Sequence, residues 1–132
     1  MTILEILTVY TTGALGYGGI ELLWRGRTHW SMLVTGGACF LCMYLIENHS
    51  REKVWHKLVM SAAVITTLEF LAGAVVNLRL GWAVWDYSDM PLNLMGQICA
   101  AFSLAWLIIS VPGLYLCRLL HQLLRRGRLR YR

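Results

Sequence analysis

Residues 58–80 form a predominantly apolar run with a glutamate, Glu69, near its middle. The run is long enough to cross a bilayer, which takes ~20 helical residues for about 30 Å of hydrocarbon. An ionisable side chain at mid-bilayer costs at least about 2.5 kcal/mol, so it faces a protein interior, a water-filled cavity or a partner rather than lipid tails. The chain is therefore expected to fold in a membrane and to keep a polar group inside.

The rest of the sequence points the same way. Of 132 residues, 58% are hydrophobic, and the mean hydropathy is +0.56. Four apolar segments can be drawn, 3–24, 30–46, 58–80 and 95–124, each near spanning length. The second is the shortest and needs bilayer thinning or anchoring at its ends. The expected fold is all-α: one polytopic membrane domain over residues 1–132, a four-transmembrane-helix bundle followed by a basic tail from residue 125. The first segment lacks a basic leading region and an A-x-A-like cleavage site, so it reads as a retained helix. Pro112, followed by Gly113, is expected to kink the last helix.

Charge sets the expected orientation. With four spans both termini share one side with the loop holding Arg51, Lys53 and Lys57, giving that side nine Lys/Arg against three (Arg25, Arg27 and Arg79) opposite. The positive-inside rule then places both termini in the cytoplasm. The tail, with Arg118, His121, Arg125, Arg126, Arg128, Arg130 and Arg132, reads as a contact for anionic lipids rather than nucleic acid. Trp24, Trp30, Trp55, Trp82 and Trp85 fall at span ends, as an interfacial belt would. Asn48-His49-Ser50 has the form of a glycosylation acceptor but lies on the side assigned to the cytoplasm.

Other chemistry finds little support. Cys39 and Cys42 have C-x-x-C spacing, yet in an apolar helix they read as small packing residues. His29, His49, His56 and His121 show no metal-ligand spacing, and Asp86, Ser88, Asp89 and Asn93 lack the glycine and terminal glutamate of a calcium loop. Ser88 has no histidine nearby for a nucleophilic triad. No catalytic residue, metal or cofactor is assigned, and an enzyme is the least favoured class.

Two helix faces carry polar stripes. Ala62, Thr66, Glu69, Gly73 and Asn77 recur every three or four residues on one side of the third helix. Tyr10, Ala14, Tyr17 and Glu21 do so on the first, among Gly13, Gly16, Gly18 and Gly19, which favour close helix packing. Arg25 is an i+4 partner for Glu21; Glu69 has no such neighbour and would bond to Thr66, Tyr17 or a buried water. Glu69, Glu21, Tyr17 and Asn77 are the candidate ion- or substrate-contacting residues. Burial of a carboxylate suits proton or cation exchange, although a structural, packing role for both glutamates reads the same stripe equally well.

Between the third and fourth segments lies Trp85-Asp86-Tyr87-Ser88, followed by Asn93-Leu94-Met95-Gly96. Trp85 and Tyr87 would anchor this loop at the membrane surface, Asp86 would pair with Arg79, Arg25 or Arg27, and Asn93 would cap the fourth helix. Taken in order, Gly18 and Glu21; Glu69, Phe70 and Gly73; Trp85, Asp86, Tyr87 and Ser88; and Asn93 and Gly96 resemble the pattern of the CmpB-like, type IV ABC-transporter permease family of small integral membrane proteins. The second helix departs from it, with Trp30-Ser-Met-Leu-Val-Thr-Gly36-Gly37 where bacterial members often carry Asn-Arg-Gly and Pro-x-Tyr-Gly.

The resemblance implies a multi-pass transport subunit, expected in a bacterial cytoplasmic membrane. The chain carries no G-x-x-x-x-G-K-[ST] phosphate loop, so energy would come from a separate ATPase or an ion gradient. Four short spans scarcely enclose a wide path, so a homo-oligomer or a second membrane subunit is expected. The competing class is a non-transporting accessory or assembly subunit.

Overall fold

The computed structural model describes residues 1–130, so Arg132 of the basic tail lies outside the described residues. The fold is all-α, with four long helices: α1 Ile3–Arg25, α2 Trp30–His49, α3 Val54–Gly73 and α4 Ala100–Arg130. A π-helical segment, Ala74–Arg79, continues α3, and two short strands, β1 Asn93–Leu94 and β2 Ile98–Cys99, precede α4. Among the described residues three stretches are long and apolar enough to cross a membrane: Trp30–His49, Val54–Arg79 and Ala100–Arg130.

Local chemistry sets the helix ends. The Thr2 hydroxyl accepts from the Glu5 N–H (3.2 Å), and the His29 ring nitrogen accepts from the Ser31 N–H (3.2 Å), capping α1 and α2. Gly26, at φ 70°, closes α1 in the left-handed conformation and donates to the Leu22 carbonyl. The fourth helix starts later than its hydropathy suggests. Residues 93–99 instead form an antiparallel pair, Asn93 opposite Cys99 and Leu94 opposite Ile98, turned at Gly96 with φ 71°. The Asn93 carboxamide oxygen accepts from the Gly96 N–H (3.0 Å), so it stabilises that turn rather than capping α4. At its other end α4 runs on as helix through Arg125, Arg126 and Arg128, where the composition suggested only a tail.

The four helices meet in a core built from Val9 of α1, Phe40 and Tyr44 of α2, Ile65 of α3, and Leu114 and Cys117 of α4, and Met32, Val76 and Trp85 form a second, smaller cluster. Helix α1 lies along α2. Gly36 accommodates the Tyr17 ring, where an added Cβ would sit 2.7 Å from that side chain, and Gly13 admits Phe40. Gly16 and Gly19 face open space instead, so only part of the α1 glycine set serves packing. Helix α4 packs on α2 and α3, leaving a cleft between α1 and α4. Leu15, Leu23, Val34, Leu71, Leu104, Ile108 and Tyr115 remain exposed, an apolar exterior suited to lipid rather than water.

Two buried carboxylates fasten the end of the bundle that holds both termini. Glu5 accepts from the Tyr44 hydroxyl (2.5 Å) and pairs with Arg128, while His121 approaches the same tyrosine oxygen at 2.7 Å. Glu47 holds Lys57 (3.4 Å) and Arg118 (2.6 Å), and Lys57 also donates to the Glu47 carbonyl. Basic residues that read as lipid contacts are thus also internal partners. The Asn48 carboxamide, part of the apparent glycosylation acceptor, donates to the carbonyls of Tyr44 and Cys117.

Breaking a buried ion pair from one side costs about 3–5 kcal/mol, because the remaining charge is stranded. Lys57 is only 9% exposed. Glu47→Ala is therefore expected to destabilise the protein by about 3 kcal/mol in denaturant unfolding in detergent micelles, and Glu47→Ala with Lys57→Met by clearly less. Equal losses in the two variants would contradict the stranded-charge account.

Candidate functional site

Glu69 occupies the most buried side of α3, in line with Ser61, Ile65 and Gly73 at successive i+4 steps. It is 5% exposed and both its oxygens are occupied. Oε1 accepts from the Tyr87 hydroxyl at 2.9 Å, and Oε2 accepts from the Trp106 indole N–H at 2.9 Å. These partners come from the interhelical loop and from α4, so the i+3 and i+4 neighbours on α3 do not reveal them. The partners expected from spacing are engaged elsewhere: Thr66 bonds Ser103 across to α4 (3.1 Å), and the Tyr17 hydroxyl donates to Glu21 (2.8 Å).

The two donors differ in what they permit. An indole N–H can only donate, whereas a phenol both donates and accepts. Trp106 therefore fixes Oε2 as an acceptor. Tyr87 can donate to a carboxylate or accept from a carboxyl, so the same geometry holds Glu69 either charged or protonated.

Glu21 stands nearby on α1 at 6% exposure, with Arg25 Nη1 3.5 Å from Oε2 as the i+4 spacing suggests. That oxygen is buried and accepts no hydrogen bond. The Tyr17 ring links the two carboxylates: its hydroxyl bonds Glu21 and its centroid lies 5.9 Å from Trp106, which bonds Glu69. Asn77 is not part of this set. Its amide donates to Gln97 (2.8 Å) and its oxygen accepts from the Val84 N–H (2.7 Å), tying the loop to the π-helical segment.

The loop folds inward rather than lying at the surface. Trp85 is 6% exposed, packs with Met32 and Val76, and donates its indole N–H to the Gln97 carbonyl (3.0 Å). Trp24, Trp30, Trp55 and Trp82 stay exposed, so Trp85 departs from the expected belt. Gly73 explains the inward fit: a Cβ there would come within 2.5 Å of Gln97 and 2.9 Å of the Trp85 ring. Tyr87 stacks on Phe102 of α4, with centroids 4.7 Å apart. Asp86 makes the loop's own turn instead of the expected arginine pair, its Oδ1 accepting from the Ser88 N–H at 2.9 Å. That N–H, and then the Ser88 hydroxyl, hold the Asp86 carboxyl below its ordinary range. Arg25 reaches the loop through the Val84 carbonyl (2.9 Å). Asn93 donates to the carbonyls of Ser88 and Met90, completing the turn network.

A cavity of about 250 Å³ opens beside Glu69 in the α1–α4 cleft, its remaining walls mostly aliphatic and aromatic. Among the described residues no group of three histidine, cysteine or acidic side chains gathers as a metal site, and Cys39, Cys42, Cys99 and Cys117 are free thiols. Sequence reasoning missed Trp106, Gln97, Tyr44, Glu5 and Glu47. Trp106 carried one signal, an indole at mid-segment, far from the interfaces where tryptophan concentrates.

A helical integral membrane protein whose carboxylate is held by two aromatic donors, one from a folded-in loop and one from α4, is the class these features define. Residues 27–130 match the model of the family described as “Putative ABC-transporter type IV”, and the chain belongs to that family. No solved structure matches it.

Because Gly73 is filled by Trp85 and Gln97, Gly73→Val is expected to dislodge the loop. Amide exchange over residues 84–97 should then accelerate by at least about tenfold, equivalent to about 1.4 kcal/mol of lost local stability. Exchange at the wild-type rate would show that the loop does not depend on this contact.

Proposed function

We propose that the chain is a permease-like transport subunit in which Glu69 contacts an ion or substrate within the α1–α4 cleft. The observation that carries this reading is a buried carboxylate lining an otherwise apolar cavity at mid-bundle. A geometry that holds Glu69 with or without its proton suits a group that exchanges one. Glu21 and Tyr17 are the adjoining contacts. Asn77 fastens the loop, and Trp85, Asp86, Tyr87, Ser88 and Asn93 build it as a gate: lifting Tyr87 away frees one Glu69 oxygen.

In this reading all four helices span the bilayer as a bundle, α1 included, with both termini in the cytoplasm. The host is a bacterial cytoplasmic membrane, and the remaining basic groups of α4 meet anionic lipid. The apolar exterior would serve a second copy or another membrane subunit, with energy from a separate ATPase or an ion gradient. A second reading has its own support. Both Glu69 oxygens already accept bonds from the protein, as they would in an accessory or assembly subunit where the carboxylate only joins α3, α4 and the loop.

Proton flux distinguishes them. Vesicles containing the protein and an internal pH dye, under a potassium diffusion potential, should conduct protons faster than protein-free vesicles. Glu69→Gln should return them to the protein-free rate while keeping the wild-type unfolding temperature. Wild-type flux in Glu69→Gln would sink the transport reading; no flux in either, with a lowered unfolding temperature in the variant, would favour the assembly role.

A further inference from the structure

The α1–α4 cleft is longer than the Glu69 site alone. The cavity of about 250 Å³ runs past Gly13, Gly16, Phe40 and Pro112. A second, of about 400 Å³, lies toward the loop and is bordered by Glu21, Arg25, Arg27 and Asp86. Tyr17, Ile20, Trp85, Trp106 and Ile109 line both, so the two adjoin along the α1–α4 groove. From Glu21 to Gly13 it follows α1 for about 12 Å, at 1.5 Å per residue. That is close to the depth of one hydrocarbon leaflet, about 15 Å.

Chemistry changes along this length. The deep half is almost wholly apolar, while the shallow half sets two carboxylates beside two guanidinium groups. Glu21 Oε2 accepts no hydrogen bond and faces Arg25 Nη1 at 3.5 Å, while Arg27 stands exposed at the rim. A purely cationic head would meet Arg25 and Arg27, and a purely anionic one would meet Glu21 and Asp86. A head bearing both a phosphate and an ammonium matches both pairs, because guanidinium forks suit phosphate oxygens and carboxylates suit an N–H donor.

We propose that the groove between α1 and α4 binds one zwitterionic glycerophospholipid, with its phosphate at Arg25 and Arg27, its ammonium at Glu21, and one acyl chain laid along Gly16 toward Pro112. This names a ligand class for the cleft on which the transport reading rests. Gly16 is the natural floor for the chain: no atom lies within 4 Å of a Cβ built there, yet the residue lines the cavity.

The full chain, purified in mild detergent and stripped of lipid, is titrated with dioleoyl phosphatidylethanolamine, dioleoylglycerol and a dioleoyl trimethylammonium lipid, with binding read by native mass spectrometry. One phosphatidylethanolamine per chain is expected, with the other two bound at least about tenfold more weakly. Gly16→Leu projects a side chain into the groove from a position where a Cβ meets no atom within 4 Å, and should weaken phosphatidylethanolamine by about tenfold or more. Arg27→Gln, at the exposed rim, should weaken phosphatidylethanolamine and leave dioleoylglycerol unchanged. Equal binding of the three lipids would overturn the head assignment. Unchanged binding in Gly16→Leu would overturn the groove; should that variant unfold, unchanged binding in Arg27→Gln overturns the proposal alone. Phospholipid binding without Glu69-dependent proton flux would remove the transport reading and leave the lipid site standing. Glu69-dependent flux without selective lipid binding would do the reverse.

Discussion

The structure depends on satisfying one acid buried among its helices. The carboxyl on the inner face of α3 is buried, and an unmet buried acceptor costs on the order of 1–3 kcal/mol, more when charged. The chain meets that demand with two neutral donors drawn from distant segments, Tyr87 and Trp106. Because one donor sits in the loop, the loop has to enter the bundle. Its entry requires the bare backbone at Gly73, the Trp85–Gln97 bond and the hinge of small turns at Asn93 and Gly96. The late start of α4 follows from the same requirement, since residues 93–99 are used to form that turn.

At the other end of the bundle the same rule acts with full charges. Glu5 and Glu47 are both buried, and each takes a basic partner from α4. Helix α4 packs mainly on α2 and α3, so its tie to the start of α1 through Arg128 and Glu5 closes the cleft where α1 begins. The cleft is therefore bounded by ionic contacts at one end and, toward the loop, by Glu21, Arg25, Arg27 and Asp86 beside Trp85 and Tyr87. Its middle stays open because Gly16 presents no side chain there.

Much of this was legible in the residues. Apolar runs located the helices because lipid demands long uninterrupted segments, and the i+4 recurrence through Glu69 and Gly73 marked the inward side of α3. The Glu21–Arg25 pair was readable because both partners lie on one helix. Contacts across the fold were not. Trp106 and Tyr87 are 37 and 18 residues from Glu69, and no periodicity links them. Trp85 misled for a physical reason: an amphipathic ring at a segment end suits the interface, but a glycine opposite offered it a dry pocket with a carbonyl to bond. Arg118 and Arg128 read as lipid contacts because like charges cluster in the tail, whereas Glu47 and Glu5, far upstream, pair with them.

The π-helical segment after Gly73 bears on how this helix tolerates change. There the Leu80 N–H reaches back five residues to Val75, so the chain carries a wider turn between two stretches with different facing requirements. Glu69 must look toward α4 while Asn77 must meet Val84 and Gln97, and a uniform winding would set both directions by a single phase. The wide turn uncouples them. A single-residue insertion or deletion between the two positions would thus be taken up at this one place.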